Sequence, residues 1–117
     1  SLTFRFQDST DELEPQSRDN LMELAKLIEI GRFRGQQLML VGFSDGRGPA
    51  SENLALSQSR AAKVAAALRE AVPDQPAPLI AGFGEALPLA CDTTVAGQRM
   101  NRRVELWLRP VTDSLAP

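Results

Sequence analysis

Asp45 and Arg60 are the two charged residues whose types and positions could form a binding site. Asp45 stands in the glycine-rich stretch Gly42-Phe43-Ser44-Asp45-Gly46-Arg47-Gly48, and Arg60 stands in the alanine-rich segment that follows. A carboxylate accepts hydrogen bonds from a cation, and a guanidinium can donate two parallel hydrogen bonds to a carboxylate. The pair is therefore compatible with a surface ion pair, a structural bridge, or a clamp for a zwitterionic ligand.

The spacing around Arg60 brings this residue close to the predicted core. Asn53 and Arg60 are seven residues apart, so on an α-helix they differ by about 20° in azimuth and about 10 Å along the axis. Leu56 lies between them. The neighbouring stripe is predicted to face the core and contains Leu54, Ser57, Ala61, Val64 and Leu68. We therefore expect Arg60 to have a buried stem and a head that reaches outward.

Simpler interpretations of both residues stay open at this stage. An arginine on a helix surface, paired with any nearby acid, would account equally well for the periodicity of Arg60. An aspartate in a Ser-Asp-Gly sequence is also typical of a turn or a helix cap. The glycines beside Asp45 do not form a phosphate-binding loop, because no GxxxxGK[ST] spacing is present.

The composition excludes several classes of function. The 117 residues include no histidine and a single cysteine, Cys91, so histidine-dependent catalysis, an internal disulfide and CxxC metal sites are excluded. The net charge of −2 lacks the basic excess of a nucleic-acid-binding surface. No apolar run approaches the ~18 residues of a membrane span. We expect a binding module rather than an enzyme, with no metal, no cofactor and no membrane insertion by this domain.

Hydrophobic periodicity predicts an α/β (α+β) two-layer sandwich with the order β-α-β-α-β-β. The predicted strands are an alternating segment at Leu2, Phe4 and Phe6, the apolar runs 37–43 and 79–81, and an alternating segment at Val104, Leu106 and Leu108. Helices are predicted over 15–30 and 51–71, with one or two helical turns over 94–100. The connection before the last strand is too short for a parallel crossover, so at least one strand should be antiparallel.

One domain is predicted over 1–110, followed by a frayed tail over 111–117. Because Ser1 starts almost inside a strand pattern, we expect an excised domain or a mature fragment.

Five motifs in order resemble the OmpA-like C-terminal domain, a family that includes the peptidoglycan-associated lipoprotein and MotB. The resemblance covers about Phe4 to Leu108. The motifs are Gly42-x-Ser44-Asp45-x-x-Gly48, Asn53-x-x-Leu56-Ser57-x-x-Arg60-Ala61-x-x-Val64-x-x-x-Leu68, Gly82-x-Gly84-x-x-x-Pro88, Thr94-x-x-Gly97 and Asn101-Arg102-Arg103-Val104-Glu105. The chain departs from the family pattern at Phe43, Asp92 and Gln98, where histidine, asparagine and arginine are common.

This resemblance implies a fold, a ligand and a location. The implied sheet is mixed, in the order 1-4-2-3, with strand 4 antiparallel. The implied partner is peptidoglycan, bound non-covalently through the meso-diaminopimelate of its stem peptide. The implied location is the periplasm of a Gram-negative cell, at the outer membrane or cell wall, where the domain would anchor a larger envelope protein. A homodimer is compatible with the resemblance.

The same resemblance assigns roles to individual residues. Asp45 would take the diaminopimelate ammonium and Arg60 its carboxylate. The residues implied to line the same site are Ser44, Asn53, Leu56 and Arg103.

Two alternative functions predict different structural features at this site. A structural or dimerisation module without peptidoglycan affinity would show a buried Asp45–Arg60 bridge and no open cleft. A cell-wall enzyme would show two carboxylates about 5–9 Å apart in a groove.

Overall fold

Four strands and three helices alternate along the part of the chain that the computed structural model describes, which is residues 2–7, 10, 12–84 and 93–110. In chain order they are β1 (Thr3–Arg5), α1 (Pro15–Glu29), β2 (Gln36–Phe43), α2 (Ala50–Ala71), β3 (Leu79–Gly82), α3 (Val95–Asn101) and β4 (Arg103–Pro110). Pro15 suits the first turn of α1, where a missing N–H leaves no bond unmade. The elements follow the predicted order, and their bounds differ from the predicted ones by one or two residues at most positions.

The strands form one mixed sheet in the order β1-β4-β2-β3. β4 lies between β1 and β2 and is antiparallel to both, with Val104 opposite Phe4 and Leu106 opposite Leu40. β3 is parallel to β2 at the other edge, because α2 carries the chain back across the sheet between them. The predicted fold class, strand order and antiparallel last strand are confirmed.

The core lies between the sheet and the two long helices. Alternate residues of β1 and β4 point to this layer, as period-two side-chain alternation requires. Among the described residues, the cluster contains Phe4, Phe6, Leu13, Leu21, Leu24, Ala25, Ile28, Leu40, Ala61, Val64, Ala65, Leu68, Val72, Val104 and Leu106. Both helices therefore cover the same face of the sheet, and the fold has two layers.

Two residues predicted to be buried are instead partly exposed. Leu54 is 42% exposed and Leu108 is 43% exposed. At the start of α2, Asn53 and Ser57 take the inward positions in place of Leu54. Leu108 lines an apolar groove together with Leu24 and Leu27 of α1, and it is not enclosed by them.

Glycines allow α2 to approach β2 and the end of β3 closely. A Cβ at Gly42 would lie 1.9 Å from the backbone oxygen of Ser57, so only glycine permits this contact. Gly84 has a φ of 60°. Its N–H donates to the Ser57 hydroxyl at 2.9 Å, and its carbonyl accepts from the N–H of Ser44 at 2.7 Å. The chain after β3 is thereby tied both to α2 and to the loop after β2.

Some positions named in the sequence analysis lie outside the described residues. They are Pro88, Cys91, Asp92 and the predicted tail over 111–117. In the described part of the chain, the helices are too short or too polar to cross a membrane.

Replacing Leu106 by alanine should destabilise the domain by about 2–5 kcal/mol, because Leu106 is 5% exposed and its removal leaves a cavity in the core. Chemical denaturation of both proteins measures this difference. Leu108→Ala is the matched control on the same face of β4, and it should lose much less. A loss below ~0.5 kcal/mol for Leu106→Ala would contradict the burial of this strand face.

Replacing Gly42 by alanine should also destabilise the domain, because the new Cβ would collide with the backbone of α2 at Ser57. Overpacking of this kind typically costs about 1–3 kcal/mol. Thermal unfolding followed by circular dichroism tests this expectation. A variant that melts at the wild-type temperature would show that α2 does not lie this close to β2.

Candidate functional site

The loop from Ser44 to Pro49 joins the end of β2 to the start of α2 and carries Asp45. Asp45 lies three residues after Gly42, and Arg60 lies three residues after Ser57 on the helix that packs against β2 at Gly42. Both residues line one cavity, so the packing of α2 on β2 positions the two predicted residues together.

Asp45 and Arg60 line a cavity of about 220 Å³. Its lining consists of Ser44, Asp45, Arg47, Gly48, Asn53, Leu56, Arg60 and Arg102. Five of the six residues implied by the family resemblance are therefore brought together. Arg103 is not among the lining residues, and two arginines that the sequence did not suggest, Arg47 and Arg102, are.

Asp45 is 6% exposed and accepts hydrogen bonds from two arginines. Arg47 donates from Nε to Oδ1 at 3.0 Å and from Nη2 to Oδ2 at 2.8 Å, so it binds both carboxylate oxygens. Nη1 of the buried Arg102 lies 3.5 Å from Oδ2. Asp45 also accepts the backbone N–H of Arg47 at 3.1 Å, as expected for a turn-forming aspartate.

Two opposing effects act on the ionisation of Asp45. Burial alone raises the pKa of the carboxyl, but hydrogen bonds and positive charge from Arg47, with a hydrogen bond from Arg102, outweigh burial. The pKa of Asp45 therefore lies below its usual value of 3.8. Asp45 is ionised at neutral pH and presents a full negative charge.

Arg60 is more deeply buried than the sequence suggested. Its exposed fraction is 0%, whereas helical periodicity predicted a head that reaches outward. The Nε donates to the backbone oxygen of Thr10 at 2.9 Å, and the guanidinium carbon lies 5.3 Å from the centre of the Phe6 ring. Phe6 and the backbone of Thr10 therefore pack against this side chain, which helical spacing alone could not reveal.

Two neutral groups in the cavity are buried without a hydrogen-bond partner in the described part of the chain. They are the Oγ of Ser44, in a residue that is 4% exposed, and the Nδ2 of Asn53, in a residue that is 7% exposed. Buried polar atoms are normally paired, and leaving one unpaired costs about 1–3 kcal/mol. A polar ligand in the cavity would satisfy both.

Arg103 lies on the face of the sheet opposite the core, so the structure does not bring it to the other predicted site residues. Its guanidinium carbon is 3.9 Å from the centre of the Phe43 ring, and its Nε donates to Glu105 at 2.6 Å. Since Val104 points into the core, the side chains of the adjacent strand residues must point away from it. The same alternation was visible in the sequence, and it would have separated Arg103 from the site.

Two other concave regions lack this combination of groups. An apolar groove of about 660 Å³ is lined mainly by Leu2, Leu24, Leu27, Phe33, Leu106 and Leu108. A cavity of about 200 Å³ lies where α1 and α2 end, near Glu29, Arg34 and Arg69. Among the described residues that line them, neither has buried, unpaired serine or asparagine groups comparable with those at Ser44 and Asn53.

Comparisons with solved structures place the fold beside two envelope proteins. The peptidoglycan-associated lipoprotein of Burkholderia pseudomallei superposes with a TM-score of 0.78 at 24% identity, covering 93% of this chain and 91% of that one. The C-terminal domain of Helicobacter pylori MotB gives a TM-score of 0.82 at 19% identity, covering 99% of this chain and 90% of that one. At these identities the likeness shows a shared fold.

Sequence comparisons identify lipoproteins that are similar to this chain. The probable lipoprotein YiaD of Escherichia coli is 32% identical over 106 residues, which span 91% of this chain and 48% of that protein. The outer-membrane lipoprotein YfiB of Pseudomonas aeruginosa is 35% identical over 104 residues, which span 86% of this chain and 59% of that protein. The chain thus spans about half the length of these relatives. The OmpA family profile matches residues 5–102, and the chain belongs to the OmpA family.

Proposed function

We propose that this domain binds peptidoglycan non-covalently through the free end of meso-diaminopimelate in the stem peptide. It would thereby anchor a larger envelope protein to the cell wall from the periplasm. The observation that carries the proposal is the single cavity that Asp45 and Arg60 line together with unpaired polar groups of Ser44 and Asn53.

The charges of the cavity suit an amino-acid zwitterion. Asp45 is ionised and can only accept hydrogen bonds, so it is the natural partner of the ligand ammonium. Arg60 can donate to the ligand carboxylate, since a guanidinium pairs with both oxygens of that group. Because Arg60 is fully buried, the ligand carboxylate reaches it only by displacing part of its cover.

The neutral groups add polar contacts that a zwitterion can use. The Nδ2 of Asn53 is a donor and suits a carboxylate oxygen, and the Oγ of Ser44 can donate or accept. Both are buried, so their hydrogen bonds to a ligand would form in surroundings where water competes little. Leu56 contributes apolar surface to the same wall of the cavity.

The structural-module alternative receives less support from the geometry. That alternative predicts a buried Asp45–Arg60 bridge. In the described chain, however, the ion-pair partners of Asp45 are Arg47 and Arg102. A cavity also lies between Asp45 and Arg60. The enzyme alternative needs a second carboxylate, and within the described residues Asp45 is the only acid that lines this cavity.

The names of similar proteins also support binding to the cell wall. One superposed structure is a peptidoglycan-associated lipoprotein, and another, 26% identical with a TM-score of 0.74, is the cell wall anchor of a secretion system from Pseudomonas aeruginosa. The curated relatives include outer-membrane proteins and lipoproteins. These names support a cell-wall ligand and a periplasmic location for this domain.

Asp45→Asn and Arg60→Lys should each weaken binding of a diaminopimelate stem peptide by about 2–5 kcal/mol. Asp45→Asn removes the charge that faces the ammonium, and Arg60→Lys keeps the charge but loses the paired hydrogen bonds. Titration calorimetry on the folded domain measures the loss. Arg103→Lys is the matched control, since it makes the same substitution at a buried arginine outside the cavity. That variant should bind as wild type does. Circular dichroism confirms that each protein is folded.

Changes in the ligand give an independent check on the roles of the two residues. Amidating the diaminopimelate carboxylate should weaken binding to the wild type far more than to Arg60→Lys, because the lysine variant has already lost the paired hydrogen bonds. A lysine-type stem peptide has the amine without the carboxylate and should bind poorly. If folded Arg60→Lys and Asp45→Asn both bind the diaminopimelate peptide as tightly as wild type, this cavity is not the site.

A further inference from the structure

Arg47 holds Asp45 in the same manner as a ligand cation would. Its guanidinium donates to both carboxylate oxygens, at 3.0 Å and 2.8 Å. These are the acceptors that the proposed function assigns to the diaminopimelate ammonium. A carboxylate engaged by a guanidinium through both oxygens cannot offer the same lone pairs to a second cation without a rearrangement.

The loop geometry keeps Arg47 next to Asp45. The backbone N–H of Arg47 donates to Oδ1 at 3.1 Å, which fixes a tight turn across Gly46. Gly48 then takes a φ of 82°, a left-handed conformation that favours glycine. With only one residue between the two partners, the guanidinium competes for Asp45 as an intramolecular group at high effective concentration.

The two arginines on Asp45 differ in burial. The Arg102 side chain is 8% exposed, and its Nε also lies 3.4 Å from the backbone oxygen of Phe6. The Arg47 side chain is 42% exposed. Moving the Arg47 guanidinium off Asp45 therefore uncovers less buried side chain than moving that of Arg102.

We propose that Arg47 is an internal competitor that occupies the ammonium subsite until the ligand displaces it. The proposal rests on the function proposed above and adds a residue that sets its affinity and selectivity. The ligand amine binds Asp45 only in the fraction of molecules in which Arg47 has left. The apparent dissociation constant is then the intrinsic constant divided by that open fraction. A weakly bound cation cannot displace Arg47. The site therefore selects ligands that gain further contacts in the cavity.

The direction in which ligand affinity changes when Arg47 is removed distinguishes a competitor from a residue that binds the ligand. If Arg47 instead bound a ligand carboxylate, removing its positive charge would weaken binding. If Arg47 competes with the ligand amine, removing it strengthens binding although the site loses a positive charge. A partly exposed ion pair of this kind corresponds to about a two- to fivefold gain in affinity.

The test compares wild type with Arg47→Gln and Arg47→Ala by calorimetric titration of a diaminopimelate stem peptide. Both variants should bind about two- to fivefold more tightly. The control is Lys63→Gln, which removes one positive charge from an exposed position on α2 and should leave affinity unchanged or slightly lower. A stem peptide with its diaminopimelate amine acetylated carries no competing cation, so it should bind the Arg47 variants no more tightly than wild type.

A measurement without ligand tests the contact itself. Carbon-detected NMR titration of the Asp45 carboxyl should give a higher pKa in Arg47→Gln than in wild type, because the variant loses the hydrogen bonds and charge of Arg47. An unchanged pKa would show that the contact does not form in solution and would overturn the proposal.

The outcomes also separate the two proposals from each other. If wild type binds the diaminopimelate peptide and Arg47→Gln binds it equally well or more weakly, the competitor role is wrong and the proposed function still stands. Absence of wild-type binding to any diaminopimelate peptide, with the protein folded, overturns the proposed function and the competitor role with it.

Discussion

The close approach of α2 to β2 is the constraint on which the cavity depends. At the contact point the strand has no side chain, because a Cβ on Gly42 would lie 1.9 Å from the backbone oxygen of Ser57. This contact holds α2 against the strand that leads into the Asp45 loop. A displaced helix would carry Arg60 away from Asp45, so the geometry of the cavity depends on the packing of α2 on β2.

The described residues that line the cavity include more arginines than acids. The protein has a net charge of −2, yet Arg47, Arg60 and Arg102 line the cavity, and Asp45 is the lining carboxylate among the described residues. Charges in a partly buried cavity are screened less than charges on the open surface. The guanidinium groups at this cavity suit a ligand that brings a carboxylate, and Asp45 is a carboxylate that suits a cation.

The segment after β1 takes part in the same arrangement. Arg60 donates to the backbone oxygen of Thr10, and Nε of Arg102 lies near that of Phe6. These two buried arginines are therefore held by backbone groups more than 45 residues away in sequence, as well as by their own elements. A buried guanidinium requires such partners, since an unsatisfied charge in the interior is strongly unfavourable.

The sequence by itself determined the element order and most of the core, because period-two and helical patterns record which face of each element is buried. The strand order of the mixed sheet came from the resemblance to OmpA-like domains. The resemblance, together with the spacing of Asn53 and Arg60, indicated which residues line the cavity. The inward position of Val104 also indicated that its neighbour Arg103 points away from the core. Only the tertiary structure decided that Arg60 is covered completely, that Arg102 lies at Asp45, and that Arg47 holds the carboxylate. These facts depend on contacts between distant segments and on side-chain directions in an irregular loop, and no periodic pattern in the sequence encodes either.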